Sequence, residues 1–165
     1  MFSLGDIVMY GTSGACKITS EETKDYFGKK EDCFVLEAVF GSKMKIYVPK
    51  HNELLMSKKR TPLSKKEVTK ILKNPPEAYE VYPPLDIERK QMYLEILSEG
   101  DRVKILSVIK AIQNKKIEQI ENKKKLHQCD EYILREAQKI IHDEFALALG
   151  IERNKIEEYI KNGAL

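Results

Sequence analysis

Cysteine is scarce: Cys16, Cys33 and Cys129 are the only three in 165 residues, and no CxxC pair occurs. An odd count at wide spacing supports neither a disulfide framework nor a zinc site. The three read as small apolar side chains in a reducing compartment. Long apolar runs are missing too. No stretch approaches the ~18–20 residues of a membrane span. The start, MFSLGDIVMYGTSG, has neither the basic nor the apolar region of a secretory signal. The expectation is a cytoplasmic protein with no membrane partner. Catalytic signatures are also lacking, since no nucleophile elbow, HExxH, phosphate loop or GxGxxG occurs. His51, His127 and His142 stand far apart, and only His127 has a cysteine close by, Cys129, one residue apart near an expected helix start, which does not make a zinc-ligand pattern. Gly11-Thr12-Ser13-Gly14 is a GxxG, but it falls between two strand patterns, where a turn is expected rather than a helix-opening phosphate cradle. These gaps point away from an enzyme, a bound metal, a cofactor or a small-molecule substrate.

Charge of one sign is scarce overall, with 29 Lys and Arg against 26 Asp and Glu. Its distribution is uneven. Residues 102–125 carry eight Lys or Arg against Glu118 and Glu121 alone. Lys115, Lys116, Lys123, Lys124 and Lys125 fall in a polar stretch after a helix that is expected to end or fray near residue 114. Lysines facing phosphates release condensed counterions, so the cluster points to salt-dependent, sequence-independent contact with nucleic acid. A solvated basic loop is the alternative. No aromatic residue stands beside the cluster in sequence, which argues against base stacking there.

Hydrophobic residues make up 42% of the chain, enough for a core, and their period changes part-way along. Short strands are expected over residues 6–10, 15–23, 33–40, 44–49 and 53–56, separated by Gly-rich or polar turns. Residues 44–49 alternate with period two and end in Pro49, which suits an edge strand open to pairing with a partner strand. Lys43 and Lys45 alternatively blunt that edge against aggregation. After Pro62 the period becomes helical. Ser64 and Glu67 form a capping box, and residues 74–84 hold four prolines as a stiff linker. Asp86 is expected to cap one helix, Gly100 to end it and Asp101 to cap the next. Ile133, Leu134, Ala137, Ile140, Ile141, Phe145 and Ala148 mark a long amphipathic helix. The expected class is α+β, with a small SH3- or Tudor-like β-barrel over 1–60 and an all-helical domain over 61–165.

Several stretches carry a family resemblance. Phe2-x-x-Gly5-Asp6-x-Val8-x-Tyr10-x-x-x-Gly14 resembles the opening of CarD/CdnL-type bacterial transcription regulators. The likeness continues through Phe34-Val35-Leu36, Ile46-Tyr47-Val48-Pro49, Leu94-x-x-Leu97-x-x-Gly100-Asp101, Glu136-Ala137 and Asp143-Glu144. The resemblance implies a Tudor-like domain that binds the RNA polymerase β subunit by strand pairing. It implies a helical domain that contacts promoter DNA at the upstream edge of the bubble and stabilises the open complex. By position, Lys24 and Tyr47 fall at polymerase-contact sites, and with Lys45, Ile46 and Val48 they form the expected polymerase edge. Such proteins typically place a tryptophan wedge near Asp86, and this chain has no tryptophan. The expected DNA contacts are therefore Ile87, Arg89, Lys90, Lys115, Lys116 and Lys123–125, Ile87 being an apolar side chain able to unstack a base step. The missing tryptophan, with Glu88 and Glu131 at positions usually basic, leaves open a polymerase adaptor with little DNA affinity of its own.

Overall fold

The computed structural model describes residues 2–41 and 44–161, and Lys43 lies outside them. Strand β1 (Ile7–Tyr10) leads through a 3-10 turn to β2 (Ala15–Tyr26), β3 (Lys29–Ala38) and β4 (Lys45–Pro49). A short helix α1 (Glu53–Ser57) and strand β5 (Lys59–Arg60) close this part. Helices α2 (Lys65–Lys73), α3 (Asp86–Glu99), α4 (Arg102–Glu121), α5 (Gln128–Leu149) and α6 (Ile156–Lys161) follow. All strand pairs are antiparallel and the order is β4-β3-β2-β1-β5, so β4 and β5 are the edges. The α+β class expected from the change of period is the class found.

Two apolar clusters hold the chain. Val8, Tyr10, Cys16, Ile18, Phe34, Leu36 and Val48 fill the inside of the sheet, with Phe2, Ile46, Leu55 and Met56 packed around them. At ~1.5–3 kcal/mol for each large apolar side chain, this core is small. The other face of the sheet adds support, because Met9 and Ala15 are built into the larger helical core around Tyr93, Leu97, Ile105, Ile133, Ile140 and Phe145.

Helix ends follow local chemistry. Ser64 and Glu67 form the expected capping box. Gly100 adopts the left-handed conformation after α3, and Asp101 accepts from the amides of Val103 and Lys104 to start α4. Four expectations need correction. Residues 53–56 are helical, because the Asn52 side chain accepts from the Leu55 amide at 3.0 Å and so caps a turn where a strand was expected. The fifth strand is instead Lys59–Arg60. Helix α4 runs on to Glu121, its polar end supported by a Lys115–Glu118 pair at 2.8 Å, one turn apart. Asp86 caps nothing: Leu85 is the cap residue of α3, and the Asp86 carboxylate turns to Arg89 and His127. The proline-rich stretch is also no free linker. Its Tyr79 amide donates to the Ser107 carbonyl at 2.9 Å, and Tyr79 and Tyr82 pack edge-on against Tyr93.

Strands β2 and β3 form a ribbon longer than the rest of the sheet. Strand β1 pairs with β2 only over Ala15–Lys17, and β4 reaches along β3 only to Cys33. Pairing continues beyond that from Thr23 with Asp32 to Tyr26 with Lys29. The ribbon turns through Phe27 at φ 55° and Gly28 at φ 85°. A left-handed backbone costs an L-residue roughly 1–2 kcal/mol.

Candidate functional site

The outer edge of β4 is the first candidate surface. In an antiparallel pair, successive residues point their N–H and C=O groups alternately to one neighbour and the other. The Lys50 amide donates to the Asp32 carbonyl at 2.8 Å, and Val48 lies opposite Phe34 and Ile46 opposite Leu36. Ile46 and Val48 therefore bond to β3, while Lys45 and Tyr47 turn their backbone groups outward; the Pro49 carbonyl, on the same side, accepts from the Asn52 amide at 3.2 Å. Proline, which has no N–H, sits on the unpaired side. Val48 is buried in the sheet core and Ile46 packs against it. Tyr47 faces the other way, beneath Lys24, whose ammonium lies 4.3 Å from the ring centroid.

Of the five residues expected at a polymerase contact, Lys24, Lys45 and Tyr47 thus share one outward strip, whereas Val48 is buried and Ile46 packs against the sheet core, both with their backbone bonded to β3. Lys24 also bonds Glu22 on its own strand at 2.9 Å. That carboxylate, and then the Tyr47 hydroxyl, hold the Lys24 ammonium above its ordinary pKa. Lys45 lies 3.8 Å from Glu37 across the strand, an exposed pair of little energetic weight. At the opposite edge Lys59 is buried with its ammonium over the rings of Phe2 and Phe34, and burial lowers its pKa. Phe2, the first residue of the opening motif, is thereby a lid on a buried lysine, a role no spacing in the sequence announces.

The second candidate surface lies at one end of the helical unit. The N-terminus of α3 meets that of α5, where the Cys129 thiol approaches the Asp86 carbonyl and His127 approaches the Asp86 carboxylate at 3.3 Å. Lys123, Lys124 and Lys125 are exposed in the connection leading into α5. Ile87 is exposed on the first turn of α3, with Lys90 one turn on. Lys115 and Lys116 lie on the last turns of α4, and Lys115 reaches towards the Tyr82 ring at 5.7 Å. These expected contacts gather at one end, with a single exception.

Arg89 is that exception: it is 1% exposed and faces inward. Its Nε donates to Asp130 Oδ1 at 2.7 Å and its Nη2 to Asp130 Oδ2 at 3.2 Å. Nη1 donates to the Pro83 carbonyl at 2.7 Å, and the guanidinium stacks 4.5 Å from the Tyr82 centroid. Burial pulls the Arg89 pKa down, but the bonds from Asp130 and Asp86 outweigh it and leave the pKa raised. A guanidinium so occupied has nothing to offer a phosphate. The cause is Asp130, 0% exposed and distant in sequence.

One aromatic residue of this end escaped sequence reasoning. Tyr132 on α5 is exposed, with Lys90 5.1 Å and Arg135 5.6 Å from its ring centroid. An aromatic ring flanked by cations therefore does stand on the basic end, although none is near it in sequence. Glu88 and Glu131 are exposed at the same end.

Among the described residues no group of three or more His, Cys, Asp and Glu is placed to hold a metal, and no helix is long and apolar enough to cross a membrane. Cys16 and Cys33 are buried, but Cys129 is only half-buried, a departure from the expected three core thiols.

A family model described as CarD-like/TRCF RID domain matches residues 2–59. A second, described as CarD, C-terminal domain, matches residues 67–161. No curated protein matches the chain.

Proposed function

Because the chain belongs to the CarD family of RNA polymerase-interacting transcription regulators, we propose that it joins its two surfaces into one bridge between polymerase and DNA. Residues 1–60 bind the polymerase β subunit by adding a partner strand to β4, with Lys24 and Lys45 beside it. Residues 61–165 present Ile87, Lys90, Lys115, Lys116 and Lys123–125 to promoter DNA at the upstream edge of the bubble and so stabilise the open complex. The protein acts without metal, cofactor or catalysis, in the cytoplasm and at the nucleoid through polymerase. The observation that carries this reading is the outward-facing backbone of Lys45 and Tyr47, an unpaired template beside a lysine.

Tyr47→Pro removes one outward N–H and leaves the bonds of Ile46 and Val48 to β3 in place. In the full chain, affinity for purified RNA polymerase is expected to fall about tenfold, the scale of a lost interfacial hydrogen bond plus its steric penalty, with an unchanged circular dichroism spectrum. Unchanged affinity rules out strand addition at β4.

The DNA contact works through proximity. Phosphate contacts position a protein without reading bases. Non-specific dissociation constants of ~10⁻⁴–10⁻⁶ M are matched by the roughly millimolar effective concentration that tethering supplies. Neutralising Lys123, Lys124 and Lys125 together is expected to shorten open-complex lifetime and flatten the log–log salt dependence by about 2–3 in slope. Polymerase affinity stays as it was. The second reading, a polymerase adaptor with little DNA affinity, is favoured by the burial of Arg89 and the exposure of Glu88 and Glu131. An open-complex lifetime indifferent to the three lysines decides for the adaptor.

A further inference from the structure

Phe27 presents a double anomaly. It is wholly exposed, so it contributes nothing to either core. It also occupies the first position of a two-residue hairpin turn whose left-handed backbone favours Asn, Asp or Gly. The turn needs no help from an aromatic side chain: Gly28 supplies the second left-handed residue, and its amide donates to Asp25 Oδ1 at 2.7 Å. Folding thus gives no reason for a phenylalanine here and two reasons against it.

The surroundings say what such a side chain faces. The ribbon continues along β3 for four residues beyond Cys33, the last to pair with β4. At ~3.3 Å per residue its tip stands about 13 Å past the end of β4. The link between ribbon and edge is direct, since Lys24 on the ribbon lies over Tyr47 on β4. Between the ribbon and the start of α1 lies a shallow groove lined by Lys29, Glu31, His51 and Leu54, with Leu54 exposed. A protein that adds a strand along β4 has its body beside this groove and reaches the ribbon tip. The ribbon's charges offer it little net attraction, because Lys29 pairs with Glu31 at 3.1 Å and Lys24 with Glu22 at 2.9 Å. The exposed apolar groups, Phe27 at the tip beside the partly exposed Tyr26 and Leu54 across the groove, are what remains to be covered.

We propose that Phe27 is an anchor for RNA polymerase, inserting into an apolar socket on the same polymerase surface that adds a strand to β4. This rests on the strand-addition reading above and extends it to a second point of attachment. The strained turn holds the ring at the extreme end of a two-stranded arm, so the anchor is presented in advance of contact.

The test exploits the anomaly. Phe27→Asn gives the turn its preferred residue, so the full chain should melt at a higher temperature than wild type. Its affinity for purified RNA polymerase should nevertheless fall roughly tenfold, the scale of one aromatic anchor. Phe27→Tyr keeps the ring and should bind like wild type. A gain in stability with a loss of affinity cannot be ascribed to misfolding. If Phe27→Asn binds as well as wild type while Tyr47→Pro does not, the anchor is wrong and strand addition stands. If neither substitution changes affinity, both fall. If Phe27→Asn alters only self-association, read by sedimentation, the ring serves a second copy of this chain and the polymerase socket is overturned.

Discussion

Asp130→Ala should lower the unfolding free energy by about 3–5 kcal/mol, the usual consequence of removing one partner from a buried ion pair. The size follows from what is left behind. Arg89 stays charged, since no accessible pH deprotonates a guanidinium. Without Asp130 it keeps Asp86, itself exposed, and two proline carbonyls. Its Nε then has no acceptor in a site that excludes water. Tyr82 also loses the carboxylate that its hydroxyl donates to at 2.6 Å. Burial, and then that bond, push the Tyr82 hydroxyl pKa up, so the phenol stays protonated and seeks another acceptor. Urea unfolding of the full chain measures the loss. The double replacement Arg89→Met with Asp130→Leu should cost clearly less than the two single changes added together, because it removes the stranded charge along with the bond. Additive costs show that the pair is not coupled. The cluster also fixes the N-termini of α3 and α5 side by side, and that end carries Ile87, Lys90 and Tyr132. Asp130→Ala should therefore weaken the proposed DNA contact as well as the fold.

What the sequence discloses depends on how far apart the interacting residues are. Signals confined to one helical turn were legible: the Ser64–Glu67 capping box, the left-handed Gly100 and the Asp101 cap all form as their spacing implies. The period-two run into Pro49 was legible as an edge strand for the same reason, since a proline at an outward position breaks no ladder bond. Residues 53–56 misled because three apolar side chains in a row fit a buried strand as well as a short helix. The Asn52 side chain decides between them, through a bond to one amide. Arg89 misled because a basic residue beside an exposed helix start looks available. The carboxylate that takes it inward is 41 positions away. Tyr132 escaped for the mirror-image reason, its cation Lys90 lying on another helix. The candidate site was thus readable as a list of charges and strand positions, and unreadable wherever burial or a distant partner reassigns a side chain.

The opening motif and the Asp143-Glu144 motif meet at the joint between sheet and helices, where Gly14 lies against Asp143, and this makes Gly14 the most sensitive residue of the opening motif. Gly14 sits at φ 80° and ψ −146°, a region essentially closed to residues with a Cβ. An added Cβ would also stand 2.3 Å from Asp143 Oδ2 and 3.3 Å from its Cγ. Asp143 has little freedom to retreat. It is 1% exposed and bonded to Arg153. It also belongs to a helix turn held by its neighbour Glu144, which accepts from the Leu63 amide at 2.9 Å and from Arg102 at 2.8 Å. Gly14→Ala combines backbone strain with a blocked contact and should cost on the order of 3 kcal/mol in urea unfolding. Gly28→Ala is the comparison: its φ of 85° is also in the left-handed half of the map, but open space surrounds the added Cβ. It should cost only the conformational penalty, about 1 kcal/mol. Equal losses at the two positions show that Asp143 yields freely and that the joint is soft. A loss at Gly14 larger than its backbone strain accounts for marks a stiff joint, through which, on the proposed reading, polymerase held at β4 would fix where the basic end of the helices meets DNA. The functional readout then separates the two halves of the proposed bridge: Gly14→Ala should retain polymerase affinity, which on that proposal depends on β4, while shortening the lifetime of the open complex.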